Sequence, residues 1–248
     1  MSNTEFWDLR NNRIFSNVGR WQGGNDVYCQ GYSLIKGLMG SVSLMQVNIL
    51  NATGKLVEKN VADWIEVNFM GLSYPDSRIW CNQVSAYAAD TDSSVVAAAS
   101  AAVLSADSRA YGGSQTTKSC MEYLVHAYKE YDSGLSLKDI VAKAHQKNGK
   151  PMIVGFARPI DRDDERLAPY SNLLGKYGLS EGPFLNFALA LSKHLDEYYS
   201  LSINSGGYSS AVLLDQGFSP EDGYKIKAFA VVSGAVASYR DGEASPPN

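Results

Sequence analysis

The sequence predicts an all-α protein. Apolar residues recur at steps of three and four along residues 33–50, along Val61–Phe69 and from Phe184 to Leu195, which is the spacing of one helix face. Residues 93–105 are small and apolar without any alternation. Segments that alternate apolar with polar residues, as half-buried strands do, are scarce, and the weak candidates lie around Arg13–Val18.

Local signals predict where several helices begin and end. The stripe at Val61–Phe69 stops before a break at residues 71–75, where glycine and proline stand. A capping box predicts a helix over residues 136–145. Residues 219–222 combine an N-cap serine, a proline at the first helical position and acid in the first turn. We expect the helix that follows to run through Ala237 and, being apolar nearly all round, to be central.

The Ala- and Ser-rich segment at residues 93–105 is apolar on every face of a helix. A helix of that kind is usually buried, with neighbouring backbones close against it. The segment is well short of the roughly 20 residues needed to cross a bilayer. The tail at residues 241–248 is rich in Pro, Ser, Gly and acid, and we expect it to be disordered.

Composition excludes some classes of function. With 22 Lys and Arg residues against 26 Asp and Glu residues, the net charge of −4 argues against a nucleic-acid partner, because phosphate binding needs a basic field. The first 13 residues lack the apolar core of a secretory signal. Three widely spaced cysteines suit a reducing compartment, and no Cys–His spacing suggests a metal site. We therefore expect a cytoplasmic protein without a membrane partner.

The most informative stretch is Gly155–Ile160, followed by Asp164-Glu165-Arg166. In order and spacing, these residues resemble the small-domain signature of the citrate synthase superfamily, in particular the short citrate synthases and citryl-CoA lyase-like relatives. The resemblance covers roughly residues 31–237. Its other motifs are Gly31-Tyr32, Gly40-Ser41-Val42-Ser43, Ala110-Tyr111-Gly112-Gly113-Ser114, Asn204-Ser205-Gly206 and residues 211–218.

This resemblance implies a dimeric, citrate synthase-like two-domain helical fold. Residues 1–113 and 205–248 would form the large domain, and residues 114–204 the small domain on the CoA side. The active site would lie between the domains and be completed by the partner chain.

The same resemblance implies three catalytic side chains, two histidines and an aspartate, and this sequence departs from the pattern at all three positions. Tyr111, Arg158 and Gly206 stand there. The three histidines of the chain (His126, His145 and His194) lie in helical patterns away from the motifs, where we expect structural or solvated roles. Because citrate synthesis removes a proton from a weak carbon acid, losing the base and both histidines leaves little of that reaction.

The replacing residues predict a repurposed site. Tyr111 can donate a hydrogen bond to an oxyanion, Arg158 is a fixed cation, and Tyr208 lies next to the space that Gly206 opens, so we assign catalytic roles to Tyr111, Arg158 and Tyr208. The alternative is that Arg158 forms a structural ion pair with Asp161 or Asp163 and that Tyr111 fills the cleft.

Ligand-binding residues follow from the resemblance. Arg166, Asn204 and Gly206 would bind the substrate, and Val154, Gly155, Phe156 and Ala157 would form the CoA-binding loop. We expect no tightly bound cofactor, with a coenzyme A thioester as a substrate.

Two functions from different classes are consistent with these residues. The first is altered carbon–carbon bond-forming or -cleaving chemistry on an acyl-CoA or a polycarboxylate, by a homodimer. The second is a catalytically inactive homologue that acts as a partner or regulatory subunit, in a heteromer with an active relative. A third and weaker hypothesis is a ligand sensor without turnover.

Overall fold

The computed structural model of the protein describes residues 18–22, 24–91, 93–107, 113–158 and 163–244. The chain forms two compact units, of which the smaller ends at Lys59 and the larger begins at Asn60. Helices dominate, so the all-α prediction is confirmed. The predicted division into large and small domains stays a prediction. None of the described helices is both long enough and apolar enough to cross a membrane.

In the smaller unit, a three-stranded antiparallel sheet precedes two helical segments. Its strands are β1 (Gly19–Gln22), β2 (Asp26–Cys29) and β3 (Tyr32–Ser33), in that order. A single π-helical turn (Leu34–Leu38) and helix α1 (Leu44–Thr53) follow. Cys29, Leu38 and Leu50 form the buried cluster of this unit. The predicted strand at Arg13–Val18 falls outside the described residues except for Val18.

The single helix predicted over residues 33–50 is wrong, because two local signals divide it. Gly40 has a φ of +80°, a left-handed conformation that a helix interior does not allow. Ser43 and Gln46 then form a reciprocal capping box that starts α1 at Leu44. The apolar stripe is therefore shared between the π-helical turn and α1.

The larger unit contains ten helices among its described residues, together with the two-stranded ribbon of β4 (Gln146–Lys147) and β5 (Lys150–Pro151). The helices are α2 (Lys59–Met70), α3 (Trp80–Ala89), α4 (Val95–Ala106), α5 (Ser114–Asp132), α6 (Leu137–Ala142), α7 (Leu167–Lys176), α8 (Pro183–Tyr199), α9 (Ser205–Asp215), α10 (Pro220–Lys227) and α11 (Val232–Glu243). Helix α3 packs against α4 and α11, whereas α5 packs against α8, α9 and α10.

Several predicted helix starts are confirmed. Ser136 accepts a hydrogen bond from the Asp139 N–H and opens α6, which ends at Ala142 rather than near His145. The helix predicted from Phe184 to Leu195 is α8, which begins one residue earlier at Pro183, and the reciprocal capping box of Ser219 and Asp222 opens α10. His145 consequently lies outside a helix, contrary to the prediction.

The C-terminal region differs from the prediction in two ways. The helix expected from Pro220 to Ala237 is two helices, α10 and α11, and the turn between them ends α10 at Lys227. Gly234 in α11 lies so close to the backbone of Ser73 that an added Cβ would come within 2.9 Å of it, and its N–H donates a 2.8 Å hydrogen bond to the Ser73 hydroxyl. Residues 241–243, expected to be disordered, complete α11.

Helix α4 forms where residues 93–105 predicted it, but its predicted complete burial is wrong. Ala98, Ala102 and Ala106 are buried on one side. On the other side, Val96 is 71% exposed and Leu104 is 78% exposed. The helix therefore has one packed face and one open apolar face, which we call the α4 stripe (Val96, Ala97, Ser100, Ala101 and Leu104).

Candidate functional site

The segment 154–158 is attached to the first turn of α9. Gly155 has a φ of +91°, and its carbonyl accepts a hydrogen bond of 2.9 Å from the Asn204 N–H. A Cβ on Gly155 would lie 2.6 Å from the Cys120 Sγ and 2.8 Å from the Gly207 Cα. Only glycine meets both requirements, a left-handed backbone and this close approach. Gly155 therefore fixes the position of the loop against α9.

Asn204 joins the same loop to the helix start through its side chain. Its Oδ1 accepts a 3.0 Å hydrogen bond from the Gly207 N–H and so caps α9. Its Nδ2 donates a 2.6 Å hydrogen bond to the Ala157 carbonyl. The first turn of α9, with Gly206 half-buried, thus lies directly beside the predicted CoA-binding loop.

Asp164 and Arg166 form a two-pronged ion pair at this helix start. The Arg166 Nε and Nη2 each donate a 2.8 Å hydrogen bond to the Asp164 carboxylate, which also accepts 2.7 Å from the Ser205 N–H. Burial alone would raise the pKa of Asp164, but the Arg166 guanidinium and the Ser205 N–H outweigh it and bring that pKa to about 2. A carboxylate at a helix N-terminus is further stabilised by the helix dipole.

Arg166 is only partly available to a substrate. Its Nη1 donates a 3.1 Å hydrogen bond to the Gly71 carbonyl, and a quarter of its side chain is exposed. Among the described residues these bonds occupy three of the five guanidinium N–H groups. The exposed edge of Arg166 is therefore the part that a ligand can reach.

Arg158 has an ion-pair partner that the sequence reasoning did not weigh. Its Nη1 lies 2.5 Å from the Glu165 carboxylate and donates a 2.6 Å hydrogen bond to the carbonyl of Asp163. Hydrogen bonding to Arg158 lowers the pKa of Glu165. Because 64% of the Glu165 side chain is exposed, this pair is open to water and to competing anions.

Tyr208 faces the interior of the unit. It is 2% exposed and lies 6.5 Å from the Trp64 ring and 6.3 Å from the Tyr170 ring between centroids. Burial raises the pKa of the Tyr208 phenol. Of the predicted catalytic residues, Arg158 lies at the partly exposed start of α9, Tyr208 lies beneath it, and Tyr111 is outside the described residues.

The predicted CoA-binding loop is partly exposed and partly buried. Val154 is 37% exposed and Ala157 is exposed, whereas Phe156 is 1% exposed and belongs to the core. The backbone of the loop and the side chains of Val154 and Ala157 are thus its accessible parts. Among the described residues, no group of three or more His, Cys, Asp or Glu side chains could hold a metal ion.

Sequence reasoning missed Lys227, the last residue of α10. Lys227 is 4% exposed, and its Nζ donates a hydrogen bond to the Asn68 Oδ1 and lies 3.4 Å from the Ser209 Oγ. One signal was available, because Gly223, Ile226 and Lys227 share the buried face of α10 and a lysine thus occupies an apolar position.

No protein-family model and no curated protein sequence matches the chain. Solved structures do match it. Citryl-CoA lyase from Hydrogenobacter thermophilus superposes with a TM-score of 0.78 at 19% identity, over 94% of this chain and 88% of that chain. The protein has the fold of citryl-CoA lyase and citrate synthase. The resemblance stated from the sequence motifs is thereby confirmed at the level of the fold.

Other matches extend the comparison to larger proteins of this citrate synthase-type fold. ATP citrate lyase from Methanosaeta concilii, in complex with (3S)-citryl-CoA, has a TM-score of 0.74 at 15% identity. The match covers 97% of this chain but 41% of that one. Citrate synthase from Pyrobaculum aerophilum has a TM-score of 0.59 at 19% identity, over 78% of this chain and 48% of that chain.

Proposed function

We propose that the protein binds a carboxylate-bearing small molecule, free or as a coenzyme A thioester, at the start of α9 and carries out altered carbon–carbon bond chemistry on it. The observation that carries this proposal is the fold shared with citryl-CoA lyase over nearly the whole of both chains. A second solved relative, ATP citrate lyase from Methanothrix soehngenii, is in complex with citrate and coenzyme A. Binding of such ligands by this chain is the proposal.

The residues at the start of α9 support ligand binding. Asp164 and Asn204 already accept the N–H groups of Ser205 and Gly207, so the exposed edge of Arg166 is a cation beside this helix start that a ligand carboxylate can reach. Arg158 supplies a second cation whose Glu165 partner is exposed. A ligand carboxylate can therefore replace Glu165 at Arg158 without leaving a buried charge unpaired.

Ordinary citrate synthesis is not part of the proposal. Residues 204–208, at the start of α9, contain neither a carboxylate nor an imidazole. Removing a proton from a thioester methyl group needs a positioned base. Arg158, Arg166 and Tyr111 are instead suited to binding an anion and to stabilising charge on oxygen, as in cleavage of a carbon–carbon bond or a condensation driven by decarboxylation.

The first test is binding. We expect acetyl-CoA, CoA, oxaloacetate or citrate to raise the melting temperature of the full chain, because a ligand selective for the native state stabilises it. Arg158→Ala should abolish that shift while leaving the unliganded melting temperature within about 2 °C, since its partner Glu165 is exposed and can be solvated without Arg158. Arg78→Ala is the control for the loss of a surface arginine, because Arg78 also pairs with a carboxylate, Asp76, and 90% of its side chain is exposed.

Two outcomes would contradict the proposal. An Arg158→Ala variant with unchanged ligand affinity removes Arg158 from the site. Steady production of citrate from acetyl-CoA and oxaloacetate at an ordinary enzymatic rate, of the order of 10 per second, shows that the chemistry is not altered. Incubation with citryl-CoA, followed by chromatography of the thioester products, tests the cleavage direction.

The α4 stripe supports association with another chain, because exposed apolar patches are typical of protein–protein contacts. We propose that the stripe pairs with the same stripe of a second copy. The second candidate function, an inactive partner or regulatory subunit, would instead use this stripe in a heteromer with an active relative. The three buried free thiols suit the cytoplasmic location that we propose with it.

A further inference from the structure

The Nζ of Lys227 is enclosed by groups from three other parts of the larger unit. Asn68 and the Phe69 ring come from α2, Ser209 comes from α9, and the charge of Arg166 acts from the start of α7. Among the described residues, no carboxylate hydrogen-bonds to this nitrogen. Buried lysines normally pair with an acid, so this arrangement needs a physical explanation.

Counting hydrogen bonds shows which protonation state fits the free protein. A neutral amine has two N–H groups, which match the two acceptors present, the Asn68 Oδ1 and the Ser209 Oγ. A charged ammonium has a third N–H, for which the described residues provide no acceptor, and a full positive charge that faces the Phe69 ring but no carboxylate. The free protein therefore favours the neutral amine.

Charged groups on the neighbouring elements do not supply a counter-charge. Arg166 is itself positive, and its partner Asp164 is engaged by the guanidinium and by the Ser205 N–H. On α5, which packs against α10, Lys118 pairs with Glu221.

The other carboxylates on the neighbouring helices are hydrogen-bonded to other groups or are exposed to solvent. At the far end of α9, Asp215 accepts hydrogen bonds from the N–H groups of Phe184 and Leu185. Glu66 of α2 and Glu122 of α5 are exposed, and Asp63 of α2 has an interaction of its own. Burial and then the charge of Arg166 lower the pKa of Lys227 to about 7.

A second buried group beside Lys227 lacks a partner. The Nδ2 of Asn68, a residue that is 2% exposed, has no hydrogen-bond partner among the described residues. An unpaired donor next to an amine without a counter-ion is an arrangement that an incoming acceptor would satisfy. A carboxylate has two oxygens, one for the amine and one for the amide.

Ser209 connects Lys227 to the proposed site. Its hydroxyl donates a 3.2 Å hydrogen bond to the carbonyl of Gly206 and lies 3.4 Å from the Lys227 Nζ. Gly206 and the edge of Arg166 are the partly exposed members of this group. A ligand at the start of α9 thus approaches the amine from the side of these two residues.

We propose that Lys227 is a carboxylate-binding residue of this site and that its neutral amine takes up one proton when a ligand carboxylate binds beside Asn68. The proton comes from the solvent, no covalent bond to the ligand forms or breaks, and the product is an ammonium–carboxylate pair. This inference rests on the proposed function, because it concerns the ligand of the same site.

Isothermal titration calorimetry tests the inference with citrate, oxaloacetate, CoA and acetyl-CoA as probes. Each titration of the full chain is repeated in buffers of different ionisation enthalpy, which gives the number of protons taken up on binding. At about pH 8 we expect close to one proton per bound probe, and at about pH 6 close to none, because the free amine is already protonated there.

Variants separate Lys227 from other cations. Lys227→Met keeps the length of the side chain but has no amine, and we expect it to take up no proton and to bind about tenfold more weakly or worse. Lys225→Met is the matched control, since Lys225 lies on the same helix and is exposed, and it should behave as the wild type.

A second measurement does not need a ligand. Since the pKa of Lys227 is about 7 in the folded protein and 10.5 ordinarily, the unfolded chain binds more protons between these values. The free energy of unfolding should therefore rise with pH in this window, and Lys227→Met should lack that rise while Lys225→Met keeps it.

The outcomes are distinguishable. If the wild type binds a probe without proton uptake, or if Lys227→Met binds it with equal affinity, the inference is wrong and the proposed function stands. If no probe binds to the wild type, both are wrong. Should Lys227→Met fail to fold, the proton count of the wild type at the two pH values still decides.

Discussion

Asp164 connects three parts of the molecule through one carboxylate. It is buried, it binds Arg166 at two points, and it accepts the Ser205 N–H at the start of α9. We expect Asp164→Asn to lower the free energy of unfolding by about 3 kcal/mol, because Arg166 then loses its counter-charge. Urea denaturation at neutral pH measures this loss.

The pH dependence of this effect has a definite sign. The pKa of Asp164 is about 2 in the folded protein and 3.8 ordinarily, so its stabilisation is complete above the ordinary value and is lost as the pH falls toward 2. The gap between the wild type and Asp164→Asn should therefore narrow in acid. Glu165→Gln serves as the control, and because Glu165 is exposed its cost should stay below about 1 kcal/mol at every pH. If Asp164→Asn and Glu165→Gln lower the free energy of unfolding by the same amount, Asp164 does not have the stabilising role assigned to it.

At the residue scale, the sequence indicated which positions matter but not what they contact. Arg166 was predicted to bind a substrate carboxylate, and its main partner is Asp164, two residues before it. Arg158 was weighed against Asp161 and Asp163, and it binds Glu165. Which carboxylate each arginine meets depends on the backbone conformation of the loop, and the sequence does not specify that conformation. The sequence does not reveal Lys227, because the residues that enclose its amine lie on α2 and α9, which are far apart in the sequence.

Close backbone packing between the 154–158 loop and α9 makes this contact sensitive to a single methyl group. Gly155→Ala adds a Cβ at 2.8 Å from the Gly207 Cα of α9 and 2.6 Å from the Cys120 Sγ of α5, on a backbone whose φ is +91°. We expect a loss of about 3 kcal/mol in the free energy of unfolding, from strain and overpacking together. Thermal and urea denaturation measure it.

Gly149→Ala is the matched control for the backbone contribution. Gly149 also has a left-handed φ, +73°, but an added Cβ meets nothing within 4 Å. The control should therefore lose only about 1 kcal/mol, the cost of the backbone conformation alone. If Gly155→Ala and Gly149→Ala lower the free energy of unfolding by the same amount, the close packing of Gly155 does not contribute to stability.

At the element scale, capping residues were the most reliable sequence signals. Ser136 and Ser219 each mark a helix start that the structure contains. Helix ends were predicted less well, because the left-handed Gly40 and the turn after Lys227 interrupt apolar stripes that continue through them. Periodicity reports which residues face a core, and it does not report whether one helix or two carry them.

For the molecule as a whole, the α4 stripe predicts self-association. We expect the wild type to elute as a dimer in size-exclusion chromatography with light scattering, and Leu104→Glu to raise the dimer dissociation constant by about tenfold or more. The carboxylate would have to be desolvated in the contact. Circular dichroism should show an unchanged helical content, since Leu104 is 78% exposed.

Leu44→Glu is the control for this experiment, because Leu44 is 75% exposed on another helix, α1. It should leave the dimer intact. A wild type that is monomeric at micromolar concentration would contradict the homodimer. In that case co-purification with an active relative tests the heteromer.

The whole fold was predicted by the order of its motifs rather than by its helices. The periodic segments named from the sequence omit α3, α5, α7 and α9, yet the motifs from Gly31 to Phe218 were sufficient to indicate the citrate synthase-type fold. Burial could not be predicted in the same way. Both the packed face and the open face of α4 are rich in alanine and other apolar residues. Only the positions of the neighbouring helices determine which face is buried.

The contacts of Gly155, Ala157 and Asp164 with Asn204 and Ser205 have a consequence for biosynthesis. These bonds join segments that are some fifty residues apart in the chain, and closing a loop of that length costs about 3–4 kcal/mol. The loop is synthesised before α9, so the nascent chain carries an unanchored loop for that interval. The proposed ligand-binding site is therefore completed only after α9 has left the ribosome.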